Sequence, residues 1–320
     1  MNTMLQVRVA DKQLAAEGIA TLDLAAVDGT PLPGFEAGAH IDVHLPGGPV
    51  RQYSLYELPG ASQLYRIGVL RDPASRGGSR QLVEMVRPGD VLAVSAPRNH
   101  FALQASSGRA LLFAGGIGIT PILCMGEQLL RQGRDFTLHY CGRSLERMAF
   151  VERLRGPDLA PHAHLHADDG PAGQKIDMRL AVGAPAADRH LYVCGPGGFM
   201  AAVLDTARAL GWDEANLHRE YFAGGPVDHV ADGRYELQLA RSGRTVVVEP
   251  GVSASQALLD AGVALSVSCE QGVCGTCLTR VLEGEPDHRD LYLSDAERAR
   301  NDCFLPCCSG ARSARLILDL

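Results

Sequence analysis

The sequence predicts a multidomain chain: an antiparallel β-barrel, then an α/β doubly wound parallel sheet, then a smaller segment built around cysteines. Three observations carry this. Short bursts of apolar–polar alternation run through residues 1–104, and continuous apolar runs alternate with helical pattern through 105–225. In 234–320, Cys269, Cys274 and Cys277 stand in a C-x₄-C-x₂-C run. At 320 residues the chain suits two or three cores rather than one.

The elements follow in order. Leu5-Gln6-Val7-Arg8-Val9, His40-Ile41-Asp42-Val43-His44-Leu45 and Val91-Leu92-Ala93-Val94-Ser95 alternate with the period of half-buried strands. Turns rich in Pro and Gly, such as Pro46-Gly47-Gly48-Pro49, separate them, as in a small barrel. Near Gly108 the texture changes. Arg109 to Ala114 is a nearly unbroken apolar run, followed by glycines and a helical pattern from Ile122 to Arg131. Strand-like segments recur at Phe136–Cys141 and His190–Cys194, and Ala223-Gly224-Gly225-Pro226 leads into the third segment.

Composition narrows the function. Apolar content of 46% and a mean hydropathy of −0.01 indicate globular material. No apolar run is long enough to span a bilayer, so no membrane role is expected. A net charge of −7 argues against a nucleic-acid partner, which would call for a basic patch. The chain opens without a basic region and apolar core, so a reducing cytoplasm is the expected compartment. A monomer is expected.

The cysteine run has the ligand spacing of a plant-type [2Fe–2S] cluster, in which four thiolates hold two irons. Gly272 and Gly275 allow the sharp bends such a loop needs and let amide N–H groups face the sulfurs. Structural zinc sites show paired C-x₂-C or added histidines, which this spacing does not match. Nine cysteines, an odd count, do not suit a disulfide framework. Cys307 follows Cys277 after a gap of twenty-nine residues, but spacing leaves Cys307 and Cys308 open as fourth ligand.

Ala114-Gly115-Gly116-Ile117-Gly118-Ile119-Thr120-Pro121 joins a buried strand to a helix. Gly116 and Gly118 let the backbone approach a pyrophosphate, Thr120 suits an N-cap, and Pro121 suits the first helical position. This is G-x-G-x-x-P rather than the dehydrogenase G-x-G-x-x-G. A second turn, Cys194-Gly195-Pro196-Gly197-Gly198, ends a later strand, and ligands gather at the carboxyl ends of such strands. In the barrel half, Arg51-Gln52-Tyr53-Ser54 offers a phosphate fork, a stacking ring and a hydroxyl. Arg76-Gly77-Gly78-Ser79 offers a phosphate nest.

In this order, R-x-Y-S, R-G-G-S, G-G-I-G-I-T-P, C-G-P and C-x₄-C-x₂-C resemble the phthalate dioxygenase reductase and vanillate O-demethylase reductase family, over essentially the whole chain. The likeness extends to Gly284-Glu285-Pro286-Asp287-His288-Arg289-Asp290 and to the closing Leu316-Ile317-Leu318-Asp319-Leu320. It implies an FMN barrel over 1–104, an NAD(P)-binding α/β domain over 105–225 and a β-grasp-like plant-type ferredoxin over 234–320. It implies that Arg51 and Ser79 hold the FMN phosphate with Arg76, Gly77 and Gly78 around it. Tyr53, with Gln52 beside it, would flank the flavin ring, and Ser54 would face its N5 edge. Gly68, Val69 and Leu70 would offer backbone contacts, with Thr120 close by. Cys194 would lie near the nicotinamide, Phe222 would cover the flavin, and Cys307 would be the fourth cluster ligand. Gly310 departs from the arginine usual in the family.

The implied activity is that of an NADH-dependent reductase serving a terminal Rieske-type non-haem iron oxygenase, ring-hydroxylating or O-demethylating. A flavin suits it because NADH gives electrons in pairs and an iron–sulfur cluster takes them singly; Ser54 and Cys194 would stand at the hydride transfer. Arg143, Ser144 and Arg147 follow the second parallel strand, where a 2′-phosphate would be read, so NADPH stays open beside NADH. Asp287 and His288 read as loop hydrogen-bonders, and Glu220 is placed near the nicotinamide. The rivals are an FAD-containing reductase of a di-iron monooxygenase and an electron-carrier or redox-sensing module without turnover.

Overall fold

A computed structural model describes residues 4–45, 47, 50–58, 64–72, 77–106, 108–224, 227–230 and 232–320. Pro46, Gly48, Pro49, Arg76, Gly225 and Pro226 lie outside the described residues. Two compact units divide the chain, one through Glu220 and one from Tyr221 to Leu320.

The first unit contains two sheets. Strands β1 (Met4–Ala16), β2 (Ile19–Ala26), β3 (Ala39–His44), β4 (Val50–Ser54), β5 (Tyr65–Leu70) and β6 (Val91–Ser95) pair antiparallel in the order β4-β3-β6-β1-β2-β5, with β7 (Arg98–Asn99) on β3. The outermost strands meet through a bridge between Leu55 and Ile67, which closes the sheet toward a barrel. The alternation predicted from sequence is visible in burial: Val7 and Val9 are buried, while Gln6 and Arg8 are exposed. With Leu22, Ile41, Val43 and Ile67 they fill the interior, each apolar side chain contributing roughly 1.5–3 kcal/mol.

The second sheet is parallel throughout: β8 (Ala110–Gly115), β9 (Phe136–Gly142), β10 (Ala163–Ala167), β11 (Leu191–Cys194) and β12 (Leu217–Glu220), in the order β10-β9-β8-β11-β12. Every residue of β8 is buried, as expected of a central strand covered on both faces. The chain leaves β8 toward β9 on one side and reaches β11 on the other. The carboxyl ends of β8 and β11 therefore form a topological switch point.

Helix α1 (Gly78–Glu84) follows β5, and α2 (Ile119–Arg131) follows β8. One sequence expectation is corrected here. Thr120 does not cap α2, because a 3₁₀ turn over Gly116–Gly118 starts the coil early and Gly118 holds the cap position. Thr120 instead donates its hydroxyl back to the carbonyl of Ile117 at 3.1 Å. For the same reason Pro121 is the third residue of α2 rather than the first, still within the first turn, where its missing N–H leaves no bond unmade.

The second unit is a mixed sheet of β13 (Tyr235–Leu239), β14 (Thr245–Val248), β15 (Thr279–Glu283), β17 (Cys303–Phe304) and β19 (Arg315–Leu318), with a small ladder of β16 (Pro286–Asp287) and β18 (Gly310–Ala311). Its order is β14-β13-β19-β15-β17, and β13 and β19 run parallel. Leu237, Leu258, Phe304 and Leu316 form its core. Among the described residues no helix is long and apolar enough to cross a membrane.

Candidate functional site

The two glycine turns of the parallel sheet lie against each other. A Cβ on Gly118 would stand 2.2 Å from the Cys194 carbonyl oxygen, and one on Gly195 would stand 2.8 Å from Gly115 Cα. These glycines are therefore required by packing between the turns as well as by any phosphate. Gly116, at φ +52°, has open space where its Cβ would point and remains free for a ligand. Pro196 and Phe199 close over Gly115.

On the barrel side, the Arg51 side chain runs across Gly78, whose Cβ would lie 2.8 Å from Arg51 Cγ. Ser79 follows directly and accepts the Asp72 N–H at 3.3 Å. A guanidinium, the Gly77–Gly78 backbone and a hydroxyl thus converge, as a phosphate site demands. Arg76 lies outside the described residues. Tyr53 is half-buried on β4, and burial pushes its phenol above the usual range. Gly68 sits where β5 meets the α2 turn, its Cβ position 2.8 Å from Thr120 Cγ2. Val69 is buried and Leu70 exposed.

Ser54 ends β4 opposite His40 of β3, and its hydroxyl donates to Glu220 Oε2 at 3.3 Å. Glu220 ends β12 in register with Cys194 of β11. The sheet and the barrel therefore bring Ser54, Cys194, Glu220 and His40 to one place. Burial pushes the Glu220 carboxyl up to about 8, opposed by the Ser54 hydroxyl. Burial, with Arg98, pushes His40 down to about 4. Near neutral pH both groups are mostly uncharged, so their 3.9 Å approach is dipolar rather than ionic. The Cys194 thiol is fully buried and held well above its usual range, first by burial and then by Glu220.

Behind this group, Gln52 lies 3.3 Å from His40 Nε2 and donates to Asp42 Oδ1 at 3.0 Å. Arg98 pairs with Asp42. Sequence reasoning named Gln52 but missed His40 and Asp42. The available signal was that both polar residues share one face of a predicted strand, where a buried polar partner is implied.

Arg143 follows β9, and its carbonyl accepts the Asp169 N–H at 3.2 Å. Arg147 is bound to Glu17 by two bonds, at 3.1 and 2.8 Å. Phe222 belongs to the second unit and is exposed.

In that second unit four thiols form one linked group. Cys269 contacts Cys274, and Cys277 contacts Cys307, which also reaches Cys269. Among the described residues no three His, Cys, Asp or Glu side chains gather around a point that could hold one metal ion. Four linked thiols are the donor set that a two-iron cluster takes. These contacts and burial push Cys274 and Cys277 above the usual thiol range, the frustration that coordinated iron relieves by deprotonating the ligands. The Gln271 and Thr276 amides donate to the Cys269 and Cys274 sulfurs at 3.4 and 3.5 Å.

Cys308 meets the Cys307 thiol and borders the group. Its sulfur lies 3.7 Å from both the Leu305 carbonyl and the Ser309 hydroxyl, and it fills the space a Gly272 Cβ would need, 2.4 Å away. At Gly310, where the family's arginine is missing, a Cβ would stand 3.3 Å from Arg289, which pairs with Asp232 and Asp287. Asp287 also pairs with Arg312, and His288 lies 3.3 Å from Asn301 Oδ1.

Residues 237–312 match the family model described as "2Fe-2S iron-sulfur cluster binding domain". The chain is 53% identical over 317 residues to the vanillate O-demethylase oxidoreductase of a Pseudomonas species, covering 99% of this chain and 100% of that relative. It is 43% identical over 305 residues to the phenoxybenzoate dioxygenase subunit beta of Ectopseudomonas oleovorans, covering 95% and 94%. Among solved structures it is similar to phthalate dioxygenase reductase, described as a modular structure for electron transfer from pyridine nucleotides to [2Fe–2S]. The TM-score is 0.74 at 36% identity, covering 99% of this chain and 98% of that one.

Proposed function

This chain belongs to the flavin and iron–sulfur oxygenase-reductase family of vanillate O-demethylase oxidoreductase and phthalate dioxygenase reductase, and we propose that it carries electrons from NADH through FMN and a [2Fe–2S] cluster to a Rieske-type non-haem iron oxygenase. In this reading residues 1–104 hold FMN, 105–225 hold NADH and 234–320 hold the cluster. The bound groups supply two-electron acceptance from the nicotinamide and one-electron release to the partner.

The chain's own residues position and tune. Arg51 neutralises the flavin phosphate while Ser79, Gly77 and Gly78 supply donors. Tyr53 flanks the ring. The Ser54 hydroxyl, anchored on Glu220, faces the ring edge that receives hydride. A neutral Glu220 places no negative charge against an electron-rich ring. The small, uncharged Cys194 leaves room for the nicotinamide, and the Gly116 turn receives its pyrophosphate. Cys269, Cys274, Cys277 and Cys307 hold the irons.

The convergence of Ser54, Cys194 and Glu220 at the switch point of the parallel sheet carries this reading. The printed names of the relatives, an O-demethylase oxidoreductase and a dioxygenase subunit, support an oxygenase partner. The test is NADH-driven turnover with purified Rieske-type oxygenase components, after acid release and identification of the flavin. FMN with oxygenase turnover is the expected result; FAD, or turnover only with a di-iron monooxygenase, would overturn it.

A further inference from the structure

Arg147 stands five residues beyond the end of β9, in the region where an α/β fold reads the ribose 2′ position. An arginine there is the usual device for accepting a 2′-phosphate. In this chain a carboxylate already occupies it. Glu17, in the tight turn between β1 and β2, takes both the Nε and Nη2 donors of Arg147. The turn is pinned there by its backbone as well, since the Glu17 N–H donates to the Glu146 carbonyl at 2.8 Å. Arg147 holds the Glu17 carboxyl below its usual range, so the charge persists at neutral pH.

A second observation points the same way. The Asp168 and Asp169 amides bond to the carbonyls of Gly142 and Arg143 at 2.9 and 3.2 Å, so two further acidic residues close β10 beside the end of β9. A carboxylate at this place suits a free ribose hydroxyl and repels a phosphate dianion. Both Glu17 and Arg147 keep much of their side chains in solvent, at 62% and 47%.

We propose that Glu17 is a specificity-determining residue that makes the enzyme choose NADH over NADPH, by occupying Arg147 and opposing a 2′-phosphate. The proposal rests on the NADH reading above and adds the residue that sets it. No covalent step is involved; the device is electrostatic.

The test uses the flavin-loaded, cluster-loaded protein and measures binding of adenosine 2′,5′-bisphosphate and adenosine 5′-monophosphate by calorimetry. Glu17→Gln should tighten the bisphosphate about tenfold, the scale of one charge-assisted bond regained, and leave the monophosphate within about twofold. Glu17→Gln/Arg147→Met should lose that gain. The ratio of kcat/KM for NADPH over NADH should rise in parallel in the single variant. An unchanged bisphosphate affinity in Glu17→Gln, or a gain that survives in the double variant, would overturn the proposal. A wild-type protein that reduces its flavin faster with NADPH would overturn it together with the NADH reading. NADH preference with an inert Glu17 would overturn the proposal alone.

Discussion

Ser54 and Glu220, 166 positions apart in sequence, are joined by a hydrogen bond of 3.3 Å, which ties the last residue of a barrel strand to the last residue of a parallel strand. Neither residue could do this from its own element. The bond exists because β12 adds to the sheet beside β11, and because the barrel presents the end of β4 toward it.

The first prediction concerns pH. The folded chain raises the Glu220 carboxyl from 4.5 to about 8, so it holds a proton that the unfolded chain has released across that window. Stability therefore falls as pH rises from about 4.5 to about 8 and stays low above it. Glu220→Gln should flatten that part of the profile. Urea unfolding midpoints at several pH values check it; an unchanged slope would refute the assignment.

The Ser54 hydroxyl should matter to rate more than to binding. Ser54→Ala removes the hydrogen bond that holds Glu220 in place and should slow flavin reduction by NADH about tenfold, the scale of one such bond, with flavin retained. Anaerobic stopped-flow bleaching separates the two quantities.

Arg51 should matter to flavin retention. Arg51→Ala should weaken FMN binding by about ten- to a hundredfold, and Arg51→Lys should restore only part, because an ammonium cannot fork. Fluorescence titration of flavin into stripped protein reads this directly.

Cys307 and Cys308 are adjacent; Cys307 meets the Cys277 and Cys269 thiols, whereas Cys308 lies against Leu305, Ser309 and the Cys307 thiol itself. Cys307→Ser should lose the normal visible spectrum and half or more of the iron, while Cys308→Ser should keep both. Iron and sulfide analysis distinguishes them, and the reverse pattern would reassign the ligand.

Lys12 offers a stability test away from the chemistry. Its ammonium donates to the carbonyls of Leu82, Val83 and Val86, at 2.9, 2.7 and 2.7 Å, and so closes the end of the helix that begins beside Ser79. Lys12→Met should cost about 1–3 kcal/mol in chemical unfolding.

Much of the site was legible because its signals are local. A C-x₄-C-x₂-C loop, a G-x-G turn after an apolar strand and an R-x-Y-S strand each carry their chemistry within ten residues. The cap assigned to Thr120 was misread because a glycine-permitted 3₁₀ turn is not visible in composition. His40 and Asp42 were legible only as polar residues on one strand face, and Arg147 only as a nucleotide candidate without its Glu17 partner. Each acquires its partner through pairing or docking over long sequence distances, which no local pattern encodes.

The most direct test of the relay is an anaerobic titration of the purified, fully loaded protein with NADH, followed by absorbance and electron paramagnetic resonance. The expected result is bleaching of the flavin together with appearance of the reduced-cluster signal, with Cys307→Ser keeping the first and losing the second. A flavin that NADH leaves oxidised, or a cluster that stays oxidised beside a reduced flavin, would contradict it.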